Sequence, residues 1–108
     1  MEKIRLGIIG IGNMGSEHCR LILSGQTPEI ALTCVADPRQ DRRDWAQQTL
    51  PAGTGIYADG MSLIRAHACD AVLIATPHEL HPPLAEAALR AGLHVLSEKP
   101  AGVYTAQL

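Results

Sequence analysis

The chain has 108 residues, of which 46% are hydrophobic and 19% charged, and its formal net charge is −2. That length supports one domain with a modest core, and that composition is typical of a folded protein rather than a disordered one. Nine basic residues against eleven acidic ones provide no basic surface for nucleic acid, and one Trp with two Tyr provides no platform for base stacking. No apolar run approaches the roughly 20 residues of a membrane span, and we identify no signal peptide.

The three cysteines, Cys19, Cys34 and Cys69, are odd in number and lie far apart inside apolar stretches. This pattern is typical of reduced, buried thiols and not of a disulfide framework. We therefore expect a cytoplasmic protein.

Short β-branched runs alternate with helical patterns along the chain, which is typical of a parallel α/β sheet. The predicted strands cover residues 4–9, 30–36, 56–57, 71–75 and 93–97, and the predicted helices cover 14–24, 41–50, 60–66 and 82–91. With right-handed crossovers, this succession gives a doubly wound parallel sheet, the Rossmann fold. We predict one domain over residues 1–108 that is truncated after the fifth strand. The open edge of that strand would favour association, so we expect a homo-oligomer.

A glycine-rich loop follows the first predicted strand and opens the first predicted helix. Its residues Gly10-Ile11-Gly12-Asn13-Met14-Gly15 match the pattern G-x-G-x-x-G. Gly10 permits the tight turn, Gly12 lets the backbone approach a pyrophosphate, and Gly15 lets the helix pack close to the strand. The free N–H groups of the helix N-terminus favour phosphate, so we predict that residues 10–15, with Asn13 and Met14, bind a dinucleotide. The alternative is a plain strand-to-helix turn.

Asp37 ends the second predicted strand, 22 residues after Gly15. Its carboxylate can accept hydrogen bonds from the adenosine ribose and would repel a 2′-phosphate, so we expect NAD rather than NADP. Arg39 could instead receive a 2′-phosphate, and Asp37 could be a turn starter or helix cap. Arg42 and Arg43 are interleaved with acidic residues and predict a solvated helix face.

Three segments, in order and spanning the chain, resemble the Gfo/Idh/MocA oxidoreductases, the glucose-fructose oxidoreductase and inositol dehydrogenase group. Residues 8–18 are similar to the opening of that family, and residues 70–81 to its fourth strand and following loop. Residues 93–100, which end in Glu-Lys-Pro, are similar to its fifth strand and signature.

The resemblance implies roles for the loop after the fourth strand. Thr76, Pro77, His78 and His81 would line the cofactor crevice, with Pro77 near the nicotinamide ribose and His81 facing the nicotinamide. His78 and His81 also have a spacing that invites a metal, but no further ligands stand at suitable positions, so we expect no metal.

The resemblance also implies roles for the last motif. Glu98 would hydrogen-bond the nicotinamide or its ribose, and Lys99 would be the catalytic residue at the reacting centre. The peptide bond to Pro100 is commonly cis in the family, which would aim Lys99 into the pocket. A desolvated lysine can exchange a proton with a substrate hydroxyl or polarise a carbonyl.

The expected function is that of an NAD(P)-dependent oxidoreductase, which transfers a hydride between nicotinamide and a secondary alcohol or carbonyl of a sugar, polyol or related small molecule. The family's second domain, which usually contacts the substrate, is absent from this sequence, so we expect the chain alone to be inactive. The alternatives are an NAD-binding sensor or interaction module without catalysis, and a methyltransferase. The latter usually has an acidic residue before the first glycine, where Ile8-Ile9 stand here.

Overall fold

The computed structural model describes residues 4–25, 30–75, 81–98 and 104–107. The strands in chain order are β1 (Ile4–Ile9), β2 (Ile30–Ala36), β3 (Gly55–Tyr57), β4 (Ala71–Ile74), β5 (His94–Glu98) and β6 (Tyr104–Gln107). The helices are α1 (Asn13–Leu23), α2 (Gln40–Thr49), α3 (Gly60–Arg65) and α4 (His81–Arg90). Among these helices, none combines the length and the apolar character that crossing a membrane requires.

The strands form one sheet in the order β3-β2-β1-β4-β5-β6. The first five are parallel, and β1 pairs with both β2 and β4. The chain runs outward from β1 to β3 and then crosses back to β4, so the strand order reverses between β1 and β4. The predicted doubly wound parallel sheet is therefore confirmed, and ligands of such sheets bind at this reversal, beyond the carboxyl ends of the strands.

The sheet has one strand more than the sequence analysis predicted. β6 pairs antiparallel with β5, from the partners Glu98 and Tyr104 to the partners Val95 and Gln107. The parallel part ends at β5, as expected, but the expectation that the edge of β5 is open is wrong. The strand was missed because its four residues include Ala and Gln, and neither length nor composition distinguishes it from a loop.

Helices cover both faces of the sheet, and each face has its own core. On the face of α1 and α2, strand residues such as Leu6, Ile8, Val35 and Leu73 pack with Cys19, Ile22 and Ala46. On the face of α3 and α4, Ile9, Ala36, Val72 and Ile74 pack with Leu63, Ile64 and Ala88. Alternate residues of β1 thus enter opposite cores, as the pleat of a strand requires.

The missing side chain of Gly7 leaves space in the α3/α4 core for two thiols from the neighbouring chain segments. A Cβ at Gly7 would lie 2.8 Å from Sγ of Cys34 and 3.2 Å from Sγ of Cys69. The neighbouring Cys34 thiol, together with burial, raises the pKa of Cys69. Burial raises the pKa of Cys19 to about 12. All three cysteines are buried and free, which confirms the prediction of core thiols.

Asp59 caps the N-terminus of α3. Its Oδ1 accepts a hydrogen bond from the backbone N–H of Ser62 at 2.7 Å. That hydrogen bond holds the pKa of Asp59 below its usual value. The cap fixes the start of α3 at the carboxyl end of β3, beside the edge of the sheet at which the predicted site residues converge.

Candidate cofactor site

The glycine loop leaves the sheet at the carboxyl end of β1 and turns at once. Gly10 has φ +93°, a conformation that L side chains rarely adopt. Its N–H donates to the carbonyl of Ala36 at 2.7 Å, which joins the start of the loop to the end of β2. The tight turn predicted for Gly10 is therefore present.

Gly15 lies in the first turn of α1, directly against the loop. A Cβ at Gly15 would overlap the carbonyl oxygen of Gly10 and lie 2.8 Å from the carbonyl carbon. Gly12 is the N-cap of α1 and has no side chain to cap the helix, and the first turn, Asn-Met-Gly-Ser, contains no acidic residue. The N–H groups at this helix end are therefore suited to an external anion such as phosphate.

Asp37 lies at the carboxyl end of β2 with only 7% of its surface exposed. Its Oδ2 accepts a hydrogen bond from the N–H of Ile11 at 3.0 Å, and its Oδ1 accepts one from the N–H of Arg39 at 2.9 Å. The second contact is the turn-forming role that the sequence analysis left open as an alternative. The first ties the acid of β2 to the glycine loop. Because an ionised carboxylate has about four acceptor positions, two remain for a ligand's hydroxyl groups.

Three arginines near the start of α2 have different surroundings. Arg39 makes a bidentate pair with Asp41 on the surface, through contacts of Nε and Nη2 that are both 3.1 Å long. Arg43 donates to the carbonyl of Asp37 at 3.1 Å. Arg42 is half-buried, and its guanidinium packs over Gly12. The predicted solvated face is wrong for Arg42 and Arg43, which are both half-buried, because the alternation of acidic and basic residues does not reveal which arginines turn inward.

An apolar pocket of about 280 Å³ opens on the α3/α4 side of the loop. Its lining comes from the ends of β1 and β2 and from the starts of α3 and α4, and comprises Ile9, Gly10, Ala36, Pro38, Asp59, Gly60, Met61, Pro83 and Leu84. Nothing in the sequence indicated that Met61, Pro83 and Leu84 belong to the candidate site. Only the packing of two helices on the sheet brings them to the glycine loop. The pocket can accept an apolar ring next to Gly10 and Pro38.

The other predicted site residues fall at the same edge of the sheet or outside the described residues. Asn13 and Met14 are the first two residues of α1, His81 is the first of α4, and Glu98 is the last of β5. The predicted residues that lie outside the described ones are Thr76, Pro77, His78, Lys99 and Pro100. Of these, residues 76–78 follow β4 along the chain and residues 99–100 follow β5, so their roles stay predictions.

A glycine loop joined to an acid at the end of the neighbouring strand, on a doubly wound sheet, defines a dinucleotide-binding Rossmann domain. The model of the GFO_IDH_MocA family, described as an oxidoreductase family with an NAD-binding Rossmann fold, matches residues 4–107. The chain therefore belongs to this family, as the resemblance of its three motifs indicated.

Two curated relatives illustrate the match. Inositol 2-dehydrogenase 4 of Saccharopolyspora erythraea is 38% identical over 102 residues, which cover 92% of this chain. The rhizopine catabolism protein MocA of Rhizobium meliloti is 42% identical over 106 residues, which cover 95% of this chain. The matched regions are 29% and 31% of those two proteins, so the chain spans about three tenths of the length of the curated relatives it matches.

A solved structure has the same fold. Scyllo-inositol dehydrogenase from Lactobacillus casei, with bound cofactor NAD(H) and scyllo-inositol, superposes with a TM-score of 0.81 at 31% identity. The superposition covers 94% of this chain and 29% of that structure.

Proposed function

We propose that this chain binds NAD as the cofactor-binding part of an oxidoreductase. The observation that carries the proposal is the hydrogen bond of 3.0 Å between the Asp37 carboxylate and the N–H of Ile11. It places the acid of β2 against the glycine loop, where the ribose and the pyrophosphate of one dinucleotide would be neighbours. A plain strand-to-helix turn has no need for this arrangement.

The residues of the site fit the parts of NAD. The pyrophosphate would lie over Gly12 at the N-terminus of α1, and the adenosine ribose would donate to the two remaining acceptor positions of Asp37. The adenine would occupy the apolar pocket beside Pro38. A 2′-phosphate would approach the carboxylate of Asp37 and be repelled, which supports NAD over NADP.

The test is titration of NADH against the chain and its Gly12→Val variant by calorimetry. The valine side chain would occupy the space of the pyrophosphate, so we expect wild-type binding and no measurable binding by the variant. Gln47→Ala, a change on the exposed side of α2, is the matched control, and circular dichroism checks the fold of each protein. Unchanged NADH affinity in Gly12→Val would overturn the placement of the cofactor.

The activity that we infer for the whole protein is oxidation of a polyol or related secondary alcohol. The support is that several relatives are named inositol 2-dehydrogenases and that a structural neighbour holds scyllo-inositol. When bound, the nicotinamide would accept the hydride. Lys99 would exchange the proton of the substrate hydroxyl, while Thr76 to His81 and Glu98 would position the nicotinamide end.

A panel of polyols and sugars, assayed by the absorbance of the reduced cofactor, tests this activity on a protein of the relatives' length. We expect Lys99→Ala to slow the chemical step there and to leave NADH binding intact. Full activity of that variant would remove the lysine from the mechanism. NADH binding without turnover of any substrate would favour a sensor or interaction module.

We also propose a division into domains in which residues 1–108 form the NAD-binding part and the substrate site lies in a separate domain of the whole protein. The free, buried thiols are consistent with a cytoplasmic location. A homo-oligomer stays a prediction, now without the open strand edge on which it was based.

A further inference from the structure

The guanidinium of Arg42 reaches from α2 to the glycine loop. A Cβ at Gly12 would overlap Nη1 of Arg42 and lie 3.1 Å from its Cζ. Gly12 is the point of closest approach between the backbone and the pyrophosphate in the proposed function. The cation of Arg42 therefore stands where the negative charge of the cofactor would arrive.

Arg42 differs from its neighbours because, among the described residues, its guanidinium has neither a carboxylate nor a hydrogen-bond acceptor as a partner. Arg39 pairs with Asp41, and Arg43 is held by the carbonyl of Asp37 and by Oε1 of Gln40 at 2.7 Å. Within the described part of the chain, no carboxylate lies within ion-pairing distance of Arg42. Two of the three arginines thus stabilise the turn between β2 and α2, whereas the third faces the site.

The electrostatics of this position call for an anion. The N-terminus of α1 carries a partial positive charge, and Gly12 is its N-cap. The positive guanidinium of Arg42 and the partial positive charge of this helix end repel each other. The guanidinium is also half-buried and has therefore lost part of its hydration. A phosphate between the two would satisfy both, because the planar fork of N–H donors of an arginine matches phosphate oxygens.

We propose that Arg42 is a phosphate-binding residue whose guanidinium contacts the pyrophosphate of the dinucleotide. This assignment rests on the proposed function, since it needs the cofactor at Gly12. The guanidinium is the far end of a flexible side chain, so it moves off Gly12 as the pyrophosphate enters and stays within reach of its oxygens. Asp37 and Arg42 then act at one site, the former on the ribose and the latter on the phosphates.

The experiment compares Arg42→Ala with Arg65→Ala, an equal loss of one positive charge at the exposed end of α3. Calorimetry measures the dissociation constants of NADH and NADPH, and competition against NADH measures those of ADP-ribose and adenosine. We expect Arg42→Ala to weaken NADH and ADP-ribose about tenfold or more and to leave adenosine within twofold, because adenosine has no phosphate. Arg65→Ala should leave the dissociation constant of NADH within twofold, and Arg42→Lys should recover part of the loss.

The outcomes separate this assignment from the proposed function. Unchanged NADH binding by Arg42→Ala would overturn the assignment of Arg42 to the pyrophosphate. Tighter binding would overturn it too, because it would show that the arginine only blocks the site. A loss confined to NADPH would also overturn it and would assign Arg42 to a 2′-phosphate. A wild-type chain that binds no NADH would contradict the proposed function itself. Equal thermal midpoints for the variants exclude a folding defect as the cause.

Discussion

At the scale of single residues, we expect a side chain added at Gly15 to lower the stability of the fold and one added at Gly12 to leave it almost unchanged. The Cβ of Gly15→Ala would overlap the carbonyl oxygen of Gly10, a backbone atom that cannot move away without displacing β1 or α1. We expect a loss of about 1–3 kcal/mol in the free energy of unfolding, the usual range for overpacking, together with loss of NADH binding. Denaturant unfolding with linear extrapolation measures the former.

Gly12→Ala is the matched control for that prediction. Its Cβ would meet only the movable guanidinium of Arg42. We therefore expect a free energy of unfolding close to that of the wild type, together with weak NADH binding. Equal stability of Gly15→Ala and the wild type would show that the helix does not need its close contact with Gly10.

Asp37 combines a structural and a proposed binding role, and its variants must separate them. Asp37→Ala leaves the N–H groups of Ile11 and Arg39 without their acceptor, which costs about 1–3 kcal/mol for a buried group. Weaker NADH binding alone would therefore not prove a ribose contact. We expect the ratio of the NADH and NADPH dissociation constants to shift at least tenfold toward NADPH in both Asp37→Ala and Asp37→Asn.

The two nucleotide titrations on those variants check that expectation. A fall in stability with an unchanged ratio would make Asp37 a purely structural residue of the turn. Asp41→Asn, a charge removed on the exposed start of α2, controls for the general field of the protein.

The sequence predicts the residues of the candidate site that belong to a local motif. Gly10, Gly12 and Gly15 stand within six residues of the chain, and Asp37 follows the next strand, so their spacing is a sufficient signal. Arg42 could not be found this way. Which arginine of α2 turns toward the loop depends on how that helix crosses the sheet, and its charged neighbours follow no period that distinguishes an inward side chain.

At the scale of elements, the strands with strong apolar patterns were predicted best. The predicted spans 4–9 and 30–36 are the observed β1 and β2, and the Asp59 cap places the start of α3. Helix ends differ by about one residue, because the terminal turns have few side-chain signals. β6 was missed because its stability comes from pairing with β5 and not from its own sequence.

β6 provides a prediction about association. It covers the edge of β5 over four residue pairs, and β5 follows the buried β4 in the sheet. A chain that ends at residue 103 would expose a row of unpaired N–H and C=O groups on β5, which can pair with a second copy. We expect the shortened chain to unfold at a lower denaturant concentration than the full chain and to form dimers or larger species.

Light scattering over a range of concentrations measures that association. Deleting Leu108 alone, which lies after β6, is the control and should leave the association state of the full chain unchanged. A shortened chain with the same mass distribution as the full chain would show that β6 does not protect the edge.

At the scale of the whole molecule, the two ends of the sheet have different tasks. The candidate site lies at the carboxyl ends of the strands. At the amino ends, an ion pair joins Arg5 of β1 to Asp70, which directly precedes β4. Arg5 Nη2 lies 2.9 Å from Asp70 Oδ1, and the backbone N–H of Asp70 donates to the carbonyl of Arg5 at 2.7 Å. This pair joins the two strands at the opposite end from the proposed cofactor, so changing it should affect stability without affecting binding.

The ion pair and the Asp59 cap together predict how stability depends on acidity. The side-chain hydrogen bond from Arg5 lowers the pKa of Asp70, and the N–H of Ser62 lowers that of Asp59, both from an ordinary value of 3.8. Because the folded state favours the ionised forms, their stabilisation is complete well above pH 3.8 and is lost as the pH falls through their lowered pKa values. We therefore expect the free energy of unfolding to decrease as the pH falls below about 4.

Denaturant unfolding of Asp70→Asn and Asp59→Asn across that pH range tests the assignment. Each variant should be less stable than the wild type at neutral pH and should lose less stability on acidification, since one of the two linked protonations is gone. Asp44→Asn removes the same charge from the exposed side of α2 and separates the effect of net charge from that of the two contacts. Asp70→Asn should bind NADH like the wild type at neutral pH, because Asp70 lies at the opposite end of the sheet from the proposed cofactor. If both variants lost stability toward pH 2 as steeply as the wild type, the acid sensitivity of the fold would come from other carboxylates.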